Sequence, residues 1–229
     1  MKQLSHDITD RYFNLDNTFL KTFLHLFTQP EIVIEGYING IRRKYLNPIS
    51  YLGIALTLSG FIVFLIKKSP ESLNFDIFNT GVQSVAQDKM FEFTFDYQAI
   101  LFILYIPMMA IASWLCFEEK KYNLSERIIV FMYVLAHFSV FVFLPSIVLL
   151  IIYPQFYSLS SFAFLLFMFG YSGYVIKRIS KEKGLVFIAK SILFYILFGI
   201  MLIGLSSLIP IFLFITGEVS LQDFAPIKK

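Results

Sequence analysis

The chain has 229 residues, 57% of them hydrophobic and only 15% charged, with a net charge of +3, a mean hydropathy of +0.71 and a pI near 8.8. Ordinary soluble domains carry about 25% charged residues, and no soluble core could hide this much apolar surface, 28 Phe and 13 Tyr included. The cations are too few and too scattered for nucleic-acid binding, and the single cysteine, Cys116, excludes an intrachain disulfide or a Cys-x-x-Cys metal site.

The opening stretch MKQLSHDITDRYFNLD is polar and lacks the layout of a cleavable signal, so it reads as a loose cytoplasmic tail. In DNTFLKTFLHLF, Phe19, Leu20, Phe23, Leu24 and Phe27 recur at helical spacing. Lys21, Thr22 and His25 fall opposite, and Asp16 or Asn17 can cap the first turn. The segment is too short to span, which predicts an interfacial helix on the inner leaflet. In TQPEIVIEGYINGIRRKY, Thr28 and Glu31 have capping-box spacing and Pro30 suits a first turn. This second helix is predicted to run to about Tyr45, before Asn47-Pro48. Gly36 and Gly40 either bare one of its faces for a close helix contact or merely loosen it.

Five apolar runs, at about 49–66, 97–117, 128–152, 156–176 and 187–209, are long enough to cross a membrane. The expected fold is therefore all-α: an integral membrane bundle of five helices over 49–216, preceded by amphipathic helices in 1–48 and followed by a polar tail, 217–229. Within the 67–96 loop, Ser69-Pro70-Glu71 looks like a helix start, and Leu73, Ile77, Phe78, Val82 and Val85 suggest a short outer amphipathic helix. FEFTF (91–95) alternates, yet equally suits the first turn of the next span. Pro107, Pro145 and Pro210 are expected to kink or break three spans. Tyr97 and Trp114 sit near span ends, as interfacial aromatics do. Gly170, Gly173, Gly199 and Gly204 are expected to mark close helix crossings.

Ionisable groups inside a membrane usually carry function, and no Asp, Glu, Lys or Arg falls in the middle of any span. That weakens readings as a proton pump, a carboxylate-based carrier or a voltage sensor. HExxH, GxSxG, Walker-type and GxGxxG patterns are missing from the sequence as well, so neither an enzyme nor a cofactor is expected. The exception is His137, which either relays a proton or binds a ligand, or stays neutral and bonded across helices. The span hydroxyls either bond back to their own helix or line a polar conduit. On the inner face, Arg42, Arg43 and Lys44 can join Lys177 and Arg178 to hold anionic headgroups, or all five can serve as topology anchors. Glu31 and Glu35 can pair with Arg42 or Arg43 if the chain folds back.

The stretch from Phe13 to Tyr51 resembles a family of uncharacterised bacterial polytopic membrane proteins, a domain of unknown function. The resemblance rests on Thr22, Pro30, Gly40, Arg42, Tyr45 and Pro48, the last four forming a Gly-x-Arg-x-x-Tyr-x-x-Pro segment before the first span. Many relatives begin with a Cys-rich zinc ribbon, whose cysteines this chain lacks. The resemblance implies a multi-pass protein of a bacterial inner membrane and brings no known activity. The expected role is non-enzymatic: organising or assembling membrane components through an inner basic surface. Its partners would be membrane lipids, another membrane protein or a second copy of itself. The alternative is a small-molecule or lipid transporter built on the Pro-kinked spans, with a midplane cavity at His137.

Fourteen of the nineteen Lys and Arg lie on the N-terminal side of a five-span topology. The positive-inside rule then places the N-terminus in the cytoplasm and the C-terminus outside. A C-terminal reporter active only outside the cytoplasm should therefore light up; a cytoplasmic signal would overturn this orientation.

Overall fold

In the computed structural model, which describes residues 18–69, 84–117, 122–180 and 182–225, all regular structure is helical. The helices are α1 (18–28), α2 (Pro30–Ile38), α3 (Pro48–Lys68), α4 (Val85–Asp96), α5 (Gln98–Cys116), α6 (Leu124–Ile152), α7 (Tyr157–Ile179) and α8 (Gly184–Ile215). Five of them, α3, α5, α6, α7 with the short turn before it, and α8, are long and apolar enough to cross a membrane. The expected start of a helix at Ser69-Pro70-Glu71 and most of its apolar positions, the polar N-terminal tail and the caps Asp16 and Asn17 lie outside the described residues.

Local chemistry sets the helix ends. Asn47 caps α3, its side chain accepting from the Ser50 N–H at 2.7 Å, with Pro48 in the first turn. Helix α6 begins four residues before the apolar run because Asn123 and Glu126 form a reciprocal capping box. The FEFTF segment is helical and belongs to α4, which Ser84 caps. Its alternation is overridden because α4 runs almost directly into α5, with only Tyr97 between them. Nor do the prolines break their spans: α5, α6 and α8 run through Pro107, Pro145 and Pro210. A proline removes one helical hydrogen bond, and the packed bundle absorbs that loss.

Helix α6 is the centre of the bundle, packed against α2, α3, α5 and α7, whereas α8 lies at one edge against α5 and α4. Close approach comes from alanine: Ala55, Ala110, Ala112 and Ala136 are all fully buried. Among the four glycines expected at crossings, only Gly173 marks one, the Tyr195 hydroxyl lying 2.7 Å from where a Cβ would stand. A Cβ at Gly170, Gly199 or Gly204 would meet open space, because the faces that carry them turn outward. Most span hydroxyls bond back to their own helix, as Thr57 does to Gly53 O at 2.9 Å and Ser191 to Phe187 O at 2.8 Å. Ser59 and Ser139 instead bond each other between α3 and α6.

Arg127, a loop charge in the apolar pattern, is buried in the first turn of α6. Its Nη1 donates to Ser113 O at 3.1 Å and Ser113 Oγ at 2.7 Å, its Nη2 to Phe117 O at 2.6 Å and its Nε to Tyr122 O at 3.3 Å. One guanidinium thus ties the end of α5 and the turn after it to the start of α6, a cation at a helix C-terminus. Arg127→Gln removes most of these donors and leaves buried carbonyls bare, so it should cost about 3 kcal/mol. Unfolding in detergent micelles reads the loss, and Arg127→Lys should recover only part of it.

Candidate functional site

Helix α1 turns a different face to the bundle from the one its apolar spacing suggests. Leu20 and Leu24 are 55% and 51% exposed, while Thr22 is fully buried beside Leu26. The reason is a backbone group far along the chain: the Leu46 N–H, in the irregular approach to α3, donates to Thr22 Oγ1 at 2.9 Å. The hydroxyl in turn donates to Thr18 O within α1 at 2.7 Å. Burying the Leu46 amide without a partner would cost more than leaving two leucines exposed.

So oriented, α1 lies like a strap across three spans. The Phe19 ring meets Tyr51 of α3 at 5.9 Å, Phe23 and Phe27 meet His137 of α6 at 5.0 and 4.2 Å, and Phe27 meets Tyr171 of α7 at 6.1 Å. Span tyrosines bond its free carbonyls, Tyr171 Oη donating to Leu26 O at 3.0 Å and Tyr174 Oη to Thr28 O at 3.2 Å.

The expected capping box is not formed. Thr28 Oγ1 donates back to Leu24 O at 3.1 Å, and Gln29, the residue before α2, offers no side-chain cap. Helix α2 also stops at Ile38 rather than near Tyr45. Gly40 there takes φ +88°, the Ile41 N–H donates to Gly36 O at 2.8 Å and the Gly40 N–H to Tyr37 O at 3.1 Å. This is a Schellman ending with glycine in the left-handed position. The Asn39-Gly40 pair is a helix-stop signal that would have located it. Gly36 faces open space, so among the described residues no helix approaches there.

The four residues of the Gly-x-Arg-x-x-Tyr-x-x-Pro segment each hold the fold. Gly40 turns the chain, and the Arg42 guanidinium sits 5.9 Å from the Tyr37 ring. Tyr45 is buried with its hydroxyl 2.7 Å from His25 Nδ1, and Pro48 opens α3. Between these fixed points Arg42, Arg43 and Lys44 are exposed, and none forms an ion pair among the described residues.

Arg178 does not join this group. Its Nε donates to Glu31 at 2.9 Å and its Nη2 makes a second bond to the same carboxylate, fastening α2 to the end of α7. Glu35 accepts from Tyr122 Oη at 2.9 Å. Neither acid therefore pairs with Arg42 or Arg43, because α2 presents them to Arg178 of α7 and to Tyr122 just ahead of α6 instead. From Glu31 to Tyr37 is about 9 Å of helix, so Arg178 and Arg42 stand at opposite ends of α2. Lys177 is exposed in the last turn of α7, beside Arg178.

His137 faces the interior. It is fully buried, Nδ1 lies 2.9 Å from Tyr51 Oη, and Nε2 has no hydrogen-bond partner among the described residues. The rings of Phe23, Phe27 and Tyr171 close around it, Tyr171 at 5.0 Å. A neighbouring tyrosine, Tyr133, donates to Leu46 O at 2.7 Å, so both backbone groups of Leu46 are satisfied by side chains. Two cavities, of about 490 and 190 Å³, lie elsewhere, between α4 and the end of α8 and between α4, α5 and α8; His137 lines neither. Among the described residues no cluster of His, Cys, Asp or Glu could hold a metal ion.

A family model described as a protein of unknown function (DUF3667) matches residues 16–60. That stretch builds α1, α2, the basic loop and the first half of α3, and the family carries no assigned activity. No curated protein and no solved structure matches the chain.

Removing one partner of a buried bond costs more than removing both. Tyr51→Phe and His137→Leu should each cost about 1–3 kcal/mol, and the double variant less than their sum. Unfolding midpoints of the four proteins decide it; strictly additive losses would mean that the two side chains are not bonded.

Proposed function

We propose that this chain is a non-enzymatic protein of a bacterial inner membrane, N-terminus cytoplasmic, that organises membrane components by meeting anionic lipid through its α1–α2 surface. The carrying observation is the loop of Arg42, Arg43 and Lys44, exposed, without carboxylate partners among the described residues and held at both ends by Gly40 and Tyr45. Beside it stand outward apolar side chains: Leu20, Leu24, Ile41 and Ile49 are all more than half exposed. A surface both apolar and cationic suits the headgroup boundary of one leaflet, where acyl chains take the leucines and phosphates take the cations. The cytoplasmic placement rests on the charge asymmetry of the loops.

Transport is the second reading, and the interior position of His137 favours it. Against it stands the unbroken course of α5, α6 and α8 through their prolines, and His137 lines neither of the two cavities found among the described residues.

Each cation near a membrane surface contributes about 1 kcal/mol. The full chain, reconstituted in phosphatidylcholine bilayers, should restrict spin-labelled phosphatidylglycerol in excess of spin-labelled phosphatidylcholine. The excess should shrink with salt and fall close to zero in the variant R42Q/R43Q/K44Q. An excess untouched by the triple change would sink the reading.

A further inference from the structure

We propose that the cavity between α4 and the end of α8 binds an alkylammonium group, with Glu92 meeting its charge and the rings of Phe93, Tyr97 and Phe212 meeting its carbon groups. The site lies by the far end of α3 from the basic loop, where Lys67 pairs with Asp96, and it is independent of the anionic-lipid reading.

The order of residues in α4 builds one wall. Lys89, Glu92, Phe93, Asp96 and the adjoining Tyr97 recur three or four residues apart, so they share a face, and that face lines the cavity. The Phe93 ring stands 4.5 Å from Tyr97 and 5.5 Å from Phe212 of α8. Three rings therefore make a continuous aromatic surface across the two helices. Glu92 and Glu218 line the same cavity. Its volume, about 490 Å³, is that of a site for a small organic ligand.

The polar lining selects a cation. Thr216 Oγ1 is spent within its own helix, donating to Phe212 O and Leu213 O at 3.1 Å. Lys89 donates to Glu218 O and lies 4.0 Å from Asp223. Asp96 is held by Lys67, whereas neither Glu92 nor Glu218 forms an ion pair among the described residues. An anion would face these carboxylates, and a neutral molecule would leave Glu92 without a counter-charge. An alkylammonium group answers both parts of the lining, because its charge is attracted by a carboxylate and by ring faces, and its methyl or methylene groups pack on those faces. A choline-type lipid headgroup and a free organic cation share this chemistry.

The test titrates benzyltrimethylammonium into the full chain in dodecyl maltoside micelles and follows the heat. Saturable binding is expected, weakened by salt. Glu92→Gln should lower the affinity about three- to fivefold. Phe212→Leu, which keeps apolar bulk and removes the ring, should lower it about two- to fivefold. Asp88→Asn changes an acid of α4 that does not line the cavity and should leave the affinity as it was. Glu92 and Phe212 are both exposed, so unfolding midpoints should not move in either variant. Adding phosphatidylcholine to the micelles separates the sources: weaker apparent binding assigns the site to the lipid headgroup as well, and unchanged binding assigns it to free cations. Absence of saturable binding overturns the site. So does an affinity that Glu92→Gln and Phe212→Leu leave untouched, or one that Asp88→Asn lowers as much as Glu92→Gln, which would mean diffuse attraction to surface acids.

Discussion

Backbone that is not helical needs hydrogen-bond partners, and the need is strictest where water is scarce. The chain between α1 and α3 meets it with side chains from elsewhere. Thr22 accepts from the Leu46 N–H and Tyr133 donates to the Leu46 carbonyl, while Tyr171 and Tyr174 donate to carbonyls at the end of α1. Tyrosine suits this role because its apolar ring packs in the core while its hydroxyl reaches a distant acceptor. Without these bonds α1 would be free to lie on its leucine face, and nothing would hold the loop that follows α2.

The rest of the N-terminal surface follows from that placement. Once Thr22 points inward, Phe23 and Phe27 come down on His137, while Leu20, Lys21 and Leu24 are left on or near the outer face. Glu31 is brought to Arg178 and Glu35 to Tyr122, so both acids of α2 are already engaged and no carboxylate among the described residues pairs with Arg42, Arg43 or Lys44. The positive surface is thus a consequence of how the acids are used as well as of where the cations fall. Arg127 solves a similar problem at the junction of α5 and α6, where a buried cation collects the carbonyls of a helix end.

Much of the architecture was legible in residue order. Hydrophobic runs located all five spans, and Asn47-Pro48 and the Asn123/Glu126 spacing marked where α3 and α6 begin. The second of these signals lay in plain sight, but the apolar run alone placed the start of α6 four residues late. Other features could not be separated locally. Gly170, Gly173, Gly199 and Gly204 sit in similar apolar surroundings, and only the position of Tyr195 distinguishes Gly173. His137 admits a ligand-binding or a packing role from residue order, and only the folded chain shows Tyr51 and three further rings around it.

Hydropathy and end-capping act over a few residues, so the order of amino acids by itself determined the number of spans, most of their limits and the asymmetry of charge between loops. Which face of α1 is buried and which acid meets Arg178 were decided only by the tertiary structure. Each depends on a partner distant along the chain: Leu46 for Thr22, Arg178 for Glu31. A local pattern can rank faces by apolar content, but it carries no record of which distant polar group must be satisfied, and in this protein that requirement outweighed the apolar ranking.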